Sequence, residues 1–282
     1  MKQLRITLLL LFSFLPSTLH AGALEEARKS EKIYLSVAVR VETLPTRKIG
    51  SGFLSKIEGD DTKVMFTTNK HLVDGANELQ LTVPTKDASN AITGTLTFKV
   101  PFSKDSLNQN YIPEGNLDLA LIIIDKARMT APGRESGSVH FSSLPYRLYA
   151  DMKNLFAGQT VSFSGYPLDL SVNRSKPLLR NGSIAGIDTV EGVIYLDADA
   201  FGGSSGSPLF IDLSSQANLE FLGTYKQMLV GMISRYVPFK KQLLNLQTGQ
   251  IEMIQTENSG IAVVIPADTI RRHAESFLAK RR

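Results

Sequence analysis

The 282-residue chain contains no cysteine. No disulfide can therefore staple it, and lipid attachment through an N-terminal cysteine is excluded. Histidine is scarce as well: beyond the N-terminal leader there are His71, His140 and His273 alone. Three separated histidines without cysteine give no metal-ligand spacing, so neither a metal nor a cofactor is expected. Blocks of like charge, internal repeats at fixed period and low-complexity segments are also missing. The net charge of +4 is modest and scattered, which gives nucleic acid no purchase as a partner. After residue 15 no apolar run approaches the roughly 20 residues that cross a bilayer, so no membrane span is expected in the mature form.

What the sequence does have begins at its N-terminus. Lys2 and Arg5 precede an almost unbroken apolar run over residues 6–15, and Pro16, Ser17 and Thr18 lead to the small-residue site Ala21-Gly22-Ala23. That order of charge, apolar run and small residues describes a secretory signal over residues 1–23, cleaved near Ala21 or Ala23. An exported chain without cysteine suits a bacterial periplasm or exterior better than a eukaryotic secretory route.

Hydrophobic residues at 43% and charged residues at 21% describe an ordinary globular protein with ample material for a core. Ile33, Leu35, Val37, Val39 and Val41 alternate with Tyr34, Ser36, Ala38 and Arg40, the period of a half-buried strand. Short strand-like runs recur at residues 52–57, 63–68, 78–83, 93–100, 117–124, 160–164, 192–196, 207–211, 227–234 and 260–265. Turn signals such as Glu58-Gly59-Asp60-Asp61 and Asn181-Gly182 divide them. Many short strands between turns predict an all-β barrel or sandwich. Helix signals are confined to the ends: a short charged segment at 24–32, and a helix from 269 to about 282 capped by Asp268, with Ile270, Phe277 and Leu278 on its apolar side. Residues 103–115 and 237–259 read as loops, the second with a hairpin turn at Thr248-Gly249.

The segment richest in chemistry is Gly202-Gly203-Ser204-Ser205-Gly206-Ser207-Pro208. Its glycines permit positive φ and close backbone approach. A serine in such a turn can be a nucleophile, with neighbouring N–H groups holding an oxyanion. A Gly/Ser cluster alone is more often a plain loop, but a general base is at hand. His71 stands where a strand, Met65-Phe66-Thr67-Thr68, runs into a polar turn. His140, in a loop-rich stretch, and His273, on the polar C-terminal helix, have bland readings. The base needs an orienting acid, and Asp118 is the best candidate, because a charge entering the apolar run Leu119-Ala120-Leu121-Ile122 asks for a partner. Asp74 reads as a surface or capping residue.

At these residues the chain resembles the trypsin-like (chymotrypsin-fold) serine peptidase superfamily, most closely its bacterial Do-like branch. The resemblance rests on Gly50-Ser51-Gly52-Phe53, Thr68-Asn69-Lys70-His71-Leu72, Asp118-Leu119-Ala120, Gly165-Tyr166-Pro167 and Gly203-Ser204-Ser205-Gly206-Ser207-Pro208, in the family's order. Each motif is weak and five in order are strong. The resemblance implies two packed, six-stranded Greek-key β-barrels with a C-terminal helix. Residues 24–145 would form the N-terminal barrel with a short leading helix, 146–265 the C-terminal barrel, and 266–282 the helix. It implies a serine endopeptidase acting on protein or peptide substrates. His71, Asp118 and Ser205 are the implied triad, the N–H groups of Gly203 and Ser205 the oxyanion hole, and Ser234 the support of the acid. Asp199, Arg235 and Tyr236 would border the substrate pocket. Asp199 also reads as a solvent-facing loop acid, Tyr236 stands where an open pocket has glycine, and Ile233 replaces the histidine of glutamyl endopeptidases. Ser204 stands where zymogen-activated trypsins keep an aspartate, so activation by that route is not expected. After residue 264 there is room for one helix and none for the PDZ module usual in Do-like members.

Two rival readings stay open. Gly202-Gly203-Ser204-Ser205-Gly206 also fits the nucleophile elbow of α/β-hydrolases, with Ser204 as nucleophile, although repeated βα units are missing. The other rival is a catalytically silent or latent protease-like protein-binding module, with Arg235 and Tyr236 blocking the pocket.

Overall fold

A computed structural model describes residues 34–87, 91–103, 106, 109–129, 140–172, 176–212 and 227–281. The expected signal and the charged segment at 24–32 lie outside the described residues. Among the described residues thirteen strands, in two antiparallel sheets, and two helices after the first strand carry the architecture.

The first sheet runs β5-β4-β1-β2-β3-β7-β6. Its strands are β1 (Ala38–Leu44), β2 (Ile49–Ile57), β3 (Asp60–Thr68), β4 (Glu78–Lys86), β5 (Ile92–Pro101), β6 (Asn110–Tyr111) and β7 (Ala120–Asp125). It has seven strands rather than the expected six, because the two-residue β6 adds to the edge at β7. The second sheet is a closed six-stranded barrel, β10-β13-β12-β11-β8-β9. It comprises β8 (Thr160–Gly165), β9 (Leu178–Asp188), β10 (Val193–Asp197), β11 (Pro208–Asp212), β12 (Gln227–Leu244) and β13 (Ile251–Pro266).

Side-chain alternation explains three separate cores. Val39, Val41, Leu54, Phe66, Leu81 and Ile122 point into the first sheet's own interior. Phe163, Ile184, Leu196, Leu209, Val230 and Val264 fill the second barrel. The opposite faces of the same strands, with Phe53, Met65 and Leu121 from the first sheet and Phe210, Leu229 and Met232 from the second, meet in a third core between them. Strands with an apolar partner on both faces read as near-continuous apolar runs, as in Ala120-Leu121-Ile122-Ile123-Ile124. Helix α2 (Ala267–Ala279) covers the same seam through Ile270, Ala274 and Phe277.

Several local expectations are corrected. Residues 34–37 are helical, not strand. Tyr34 and Val37, one helical turn apart, both enter the seam, and only from Ala38 does the alternation belong to a strand. Asn181-Gly182 lies inside β9 rather than at a turn, where Gly182 lets Asp197 and Ala198 approach closely. Residues 237–259 are no loop: β12 and β13 continue as a two-stranded ribbon far beyond the barrel, turning at Thr248-Gly249. Asp268 sits inside α2, which begins after Pro266, and there its carboxylate accepts from Met152 N–H and Thr269 N–H.

Candidate active site

His71 lies in the single turn α1 (Lys70–Val73) that follows β3, and Asp118 lies two residues before β7. Because β3 and β7 are paired up to Thr68↔Ala120, their ends bring the two residues together. The buried Asn69 donates from Nδ2 to the Asp118 carbonyl at 2.9 Å, which fixes the loop. Asp118 then accepts three hydrogen bonds: from His71 N–H at 2.9 Å, from the Ser234 hydroxyl at 2.8 Å, and across the 2.8 Å contact with His71 Nδ1. Burial pushes the Asp118 carboxyl up, but the bonds from the His71 side chain and backbone and from Ser234 outweigh it. The carboxyl is held below its ordinary value.

Ser205 comes from the other sheet, in the turn that precedes β11. The turn has little freedom. Gly203 and Gly206 have φ of +92° and +86°, and a Cβ on either would strike backbone, the Tyr166 carbonyl or the Ser51 carbonyl. Ser51, fully buried in β2, ties the turn to the first sheet. Its N–H donates to the Ser205 carbonyl at 2.7 Å and its hydroxyl to the Gly203 carbonyl at 2.8 Å, while it accepts from Tyr166 N–H at 3.0 Å. Sequence reading caught the motif around Ser51 but gave Ser51 itself no role.

Within the turn, Ser204 N–H donates to Phe201 and Gly206 N–H to Ile233. Neither Gly203 N–H nor Ser205 N–H donates to any group among the described residues. The amides of Gly203 and Ser205, two residues apart, are thus left without an acceptor among the described residues. The Ser205 hydroxyl donates to the Ser234 carbonyl at 3.2 Å, and among the described residues no hydrogen bond joins it to His71.

His71, Asp118, Ser205, Ser234, Arg235 and Tyr236 line one cleft of about 420 Å³, together with the 200–202 segment, Ser204 and Ile233. Asp199 is not among its lining residues: its carbonyl accepts from Arg180, whose guanidinium lies over Phe201. Ser204 is buried, its hydroxyl accepts from Phe201 N–H, and the turn runs into a strand. The nucleophile elbow needs an exposed serine opening a helix, so the α/β-hydrolase reading fails. His140 is exposed beside Lys86, and His273 contacts the Tyr111 hydroxyl at 2.9 Å, both away from the cleft. No cluster of metal-ligating side chains occurs among the described residues. No described helix is long and apolar enough to cross a membrane.

A model of the trypsin-like peptidase domain matches residues 50–216. A search of curated proteins returns no match. Among solved structures, Deg5 aligns at a TM-score of 0.48 and 17% identity over 88% of this chain and 92% of its own. An HtrA-type protease, AlgW, solved with a tripeptide, aligns at a TM-score of 0.51 and 15% identity; 89% of this chain spans 63% of that one.

Proposed function

We propose that this chain, which belongs to the trypsin-like peptidase domain family, is an exported serine endopeptidase with His71, Asp118 and Ser205 as its triad. The observation that carries the reading is the hydrogen-bonded line Ser234–Asp118–His71 meeting Ser205 in one cleft, with the amides of Gly203 and Ser205 unengaged among the described residues.

In this mechanism Asp118 holds the proton of His71 on Nδ1, which leaves Nε2 as the base. Ser205 turns from the Ser234 carbonyl toward Nε2, gives up its proton and attacks the scissile carbonyl carbon. The carbonyl oxygen becomes an oxyanion held by Gly203 N–H and Ser205 N–H, donors worth about 10²–10³ in turnover each. Collapse breaks the C–N bond, and His71 returns the proton to the leaving amine. Water, deprotonated by His71, then releases the acyl group and restores Ser205. Ser234 donates to the same Asp118 oxygen, Oδ2, that His71 Nδ1 contacts, while His71 N–H occupies Oδ1, and together they fix the carboxylate. Arg235 and Tyr236 form the wall against which the residue before the scissile bond packs.

Labelling by a fluorophosphonate tests the reading. Wild type and Ser204→Ala are expected to label and Ser205→Ala is not. The bond from the Ser205 hydroxyl to the Ser234 carbonyl favours one second reading, a latent protease-like binding module. Folded wild type that never labels would establish that reading and remove the first. Export is carried by the N-terminal pattern alone, and a mature N-terminus at residue 22 or 24 in the extracytoplasmic fraction tests it.

A further inference from the structure

The ribbon made by the outer halves of β12 and β13 starts at the wall of the cleft. One edge of β12 faces the nucleophile turn throughout its approach: Gly206 N–H donates to the Ile233 carbonyl at 2.8 Å, Ile233 N–H donates to the Ser207 carbonyl at 3.0 Å, and the Ser205 hydroxyl donates to the Ser234 carbonyl. Past Ser234 that edge has no strand beside it among the described residues. Among the described residues, β12 from Arg235 to Leu244 pairs with β13 alone, in a register from Arg235↔Val263 to Leu244↔Ile251. From Tyr236 to Leu244 the open edge extends for about 25 Å at roughly 3.3 Å per residue.

We infer that this edge is an extended substrate-binding strand, which takes the peptide N-terminal to the scissile bond as an added antiparallel strand well beyond the cleft. The inference rests on the endopeptidase reading above. An acyl donor seated at Ser205, with its carbonyl toward Gly203 N–H and Ser205 N–H, has its preceding residues alongside Ser234, Arg235 and Tyr236. An antiparallel partner then continues along β12, past the register shifts at Ile233/Arg235 and Tyr236/Pro238, its N-terminal end near Leu244. Main-chain hydrogen bonds supply affinity in such strand addition, and side chains on one face supply selectivity. Here Phe239, Leu243 and the cross-strand neighbour Met253 share a face, and they are 54%, 38% and 58% exposed. Exposed apolar side chains of that size on a ribbon call for a cover. The matching peptide carries apolar side chains against Phe239 and Leu243 and a polar or acidic one against Lys241, which lies between them on the same face. Pro238, which has no N–H, and the neighbouring Lys240 and Lys241 keep the edge from pairing with any strand it meets.

The test uses nested peptides from one site at which the enzyme cuts a denatured protein, with about three to about eleven residues before the scissile bond. In wild type, kcat/KM is expected to rise at least about tenfold with that length. A variant in which residues 239–257 are replaced by Asn-Gly, joining the paired Pro238 and Asn258, is expected to lose the rise and keep its fluorophosphonate labelling rate. Backbone N-methylation of the long peptide at alternate distal residues removes its edge donors and needs no protein variant; it is expected to return the long peptide to the rate of the short one. Equal rates for long and short peptides in a labelling-competent wild type would overturn the inference and leave the peptidase reading standing. So would truncation of the ribbon abolishing a concentration-dependent dimer while the length effect persists, which would assign the ribbon to a second copy. Neither labelling nor cleavage of any peptide would overturn both.

Discussion

Asp118 gathers more of the site's polar contacts than any other side chain, and its charge state follows from them. With its carboxyl held below the ordinary value, the native state binds a proton there more weakly than the unfolded chain. Its stabilisation is therefore complete above the unfolded-state value near 4, and it is lost as pH falls through the lower folded value. Asp118→Asn is expected to flatten the acid limb of a urea-unfolding series against pH and to reduce turnover by about 10⁴-fold, because the imidazole loses its tautomer. Ser51 makes the complementary case. Ser51→Ala strands the Gly203 carbonyl and Tyr166 N–H in the interior, at a cost of about 1–3 kcal/mol each at most. Chemical unfolding should report the loss, and fluorophosphonate labelling should slow because the turn around Ser205 is no longer tied to β2. The candidate site was legible at this scale because each residue carries a local mark: glycines where φ must be positive, a histidine after a strand, an acid before an apolar run. Ser51 had no such mark, since its value lies in contacts with residues more than 100 positions away.

Among the elements, α2 is held chiefly by packing. The Arg271–Asp151 ion pair is about one-third exposed and contributes about 0–1 kcal/mol. Phe277, buried in the seam against Tyr111, is worth more, and Phe277→Ala should cost about 3–5 kcal/mol by thermal or chemical unfolding. Burial and the nearby Arg272 hold His273 below the usual histidine range. The folded chain thus favours the neutral ring, and this stabilisation is present above the unfolded value near 6.5 and fades as pH falls through the folded one. Hydrogen-exchange protection over residues 267–279, referred to the intrinsic amide rate at each pH, is expected to fall with acid, and His273→Gln should remove that step. Elements with a sustained apolar period, such as β4, β7 and α2, were readable from sequence. The ribbon was not, because Lys240, Lys241 and Gln242 interrupt any alternation in a strand that buries neither face. The helical turn at 34–37 was misread because Tyr, Leu and Val favour strands, and tertiary packing overrode that preference.

At the scale of the molecule, three cores are stacked in series, and the middle one decides whether the cleft exists. Phe210, buried in that middle core, belongs to the strand that follows the Ser205 turn. Phe210→Ala should cost about 3–5 kcal/mol. Labelling of Ser205 is then expected to vanish at a lower urea concentration than the far-ultraviolet circular dichroism signal, since each sheet keeps its own interior. The rhythm of short strands and turns pointed to an all-β barrel or sandwich, and the division into two packed units came with the family resemblance. The seventh strand did not, because a two-residue strand has no periodicity to detect.

His71 and Asp118 are carried by one sheet, and Ser205 and Ser234 by the other. If the chain is the exported peptidase proposed above, that division is a safeguard. Threaded unfolded through a membrane, it would have a serine of ordinary reactivity and a histidine with nothing to deprotonate, so the cell that synthesises it would not be its substrate. Under that reading, hydrolytic power would begin only when both sheets have folded and docked on the far side.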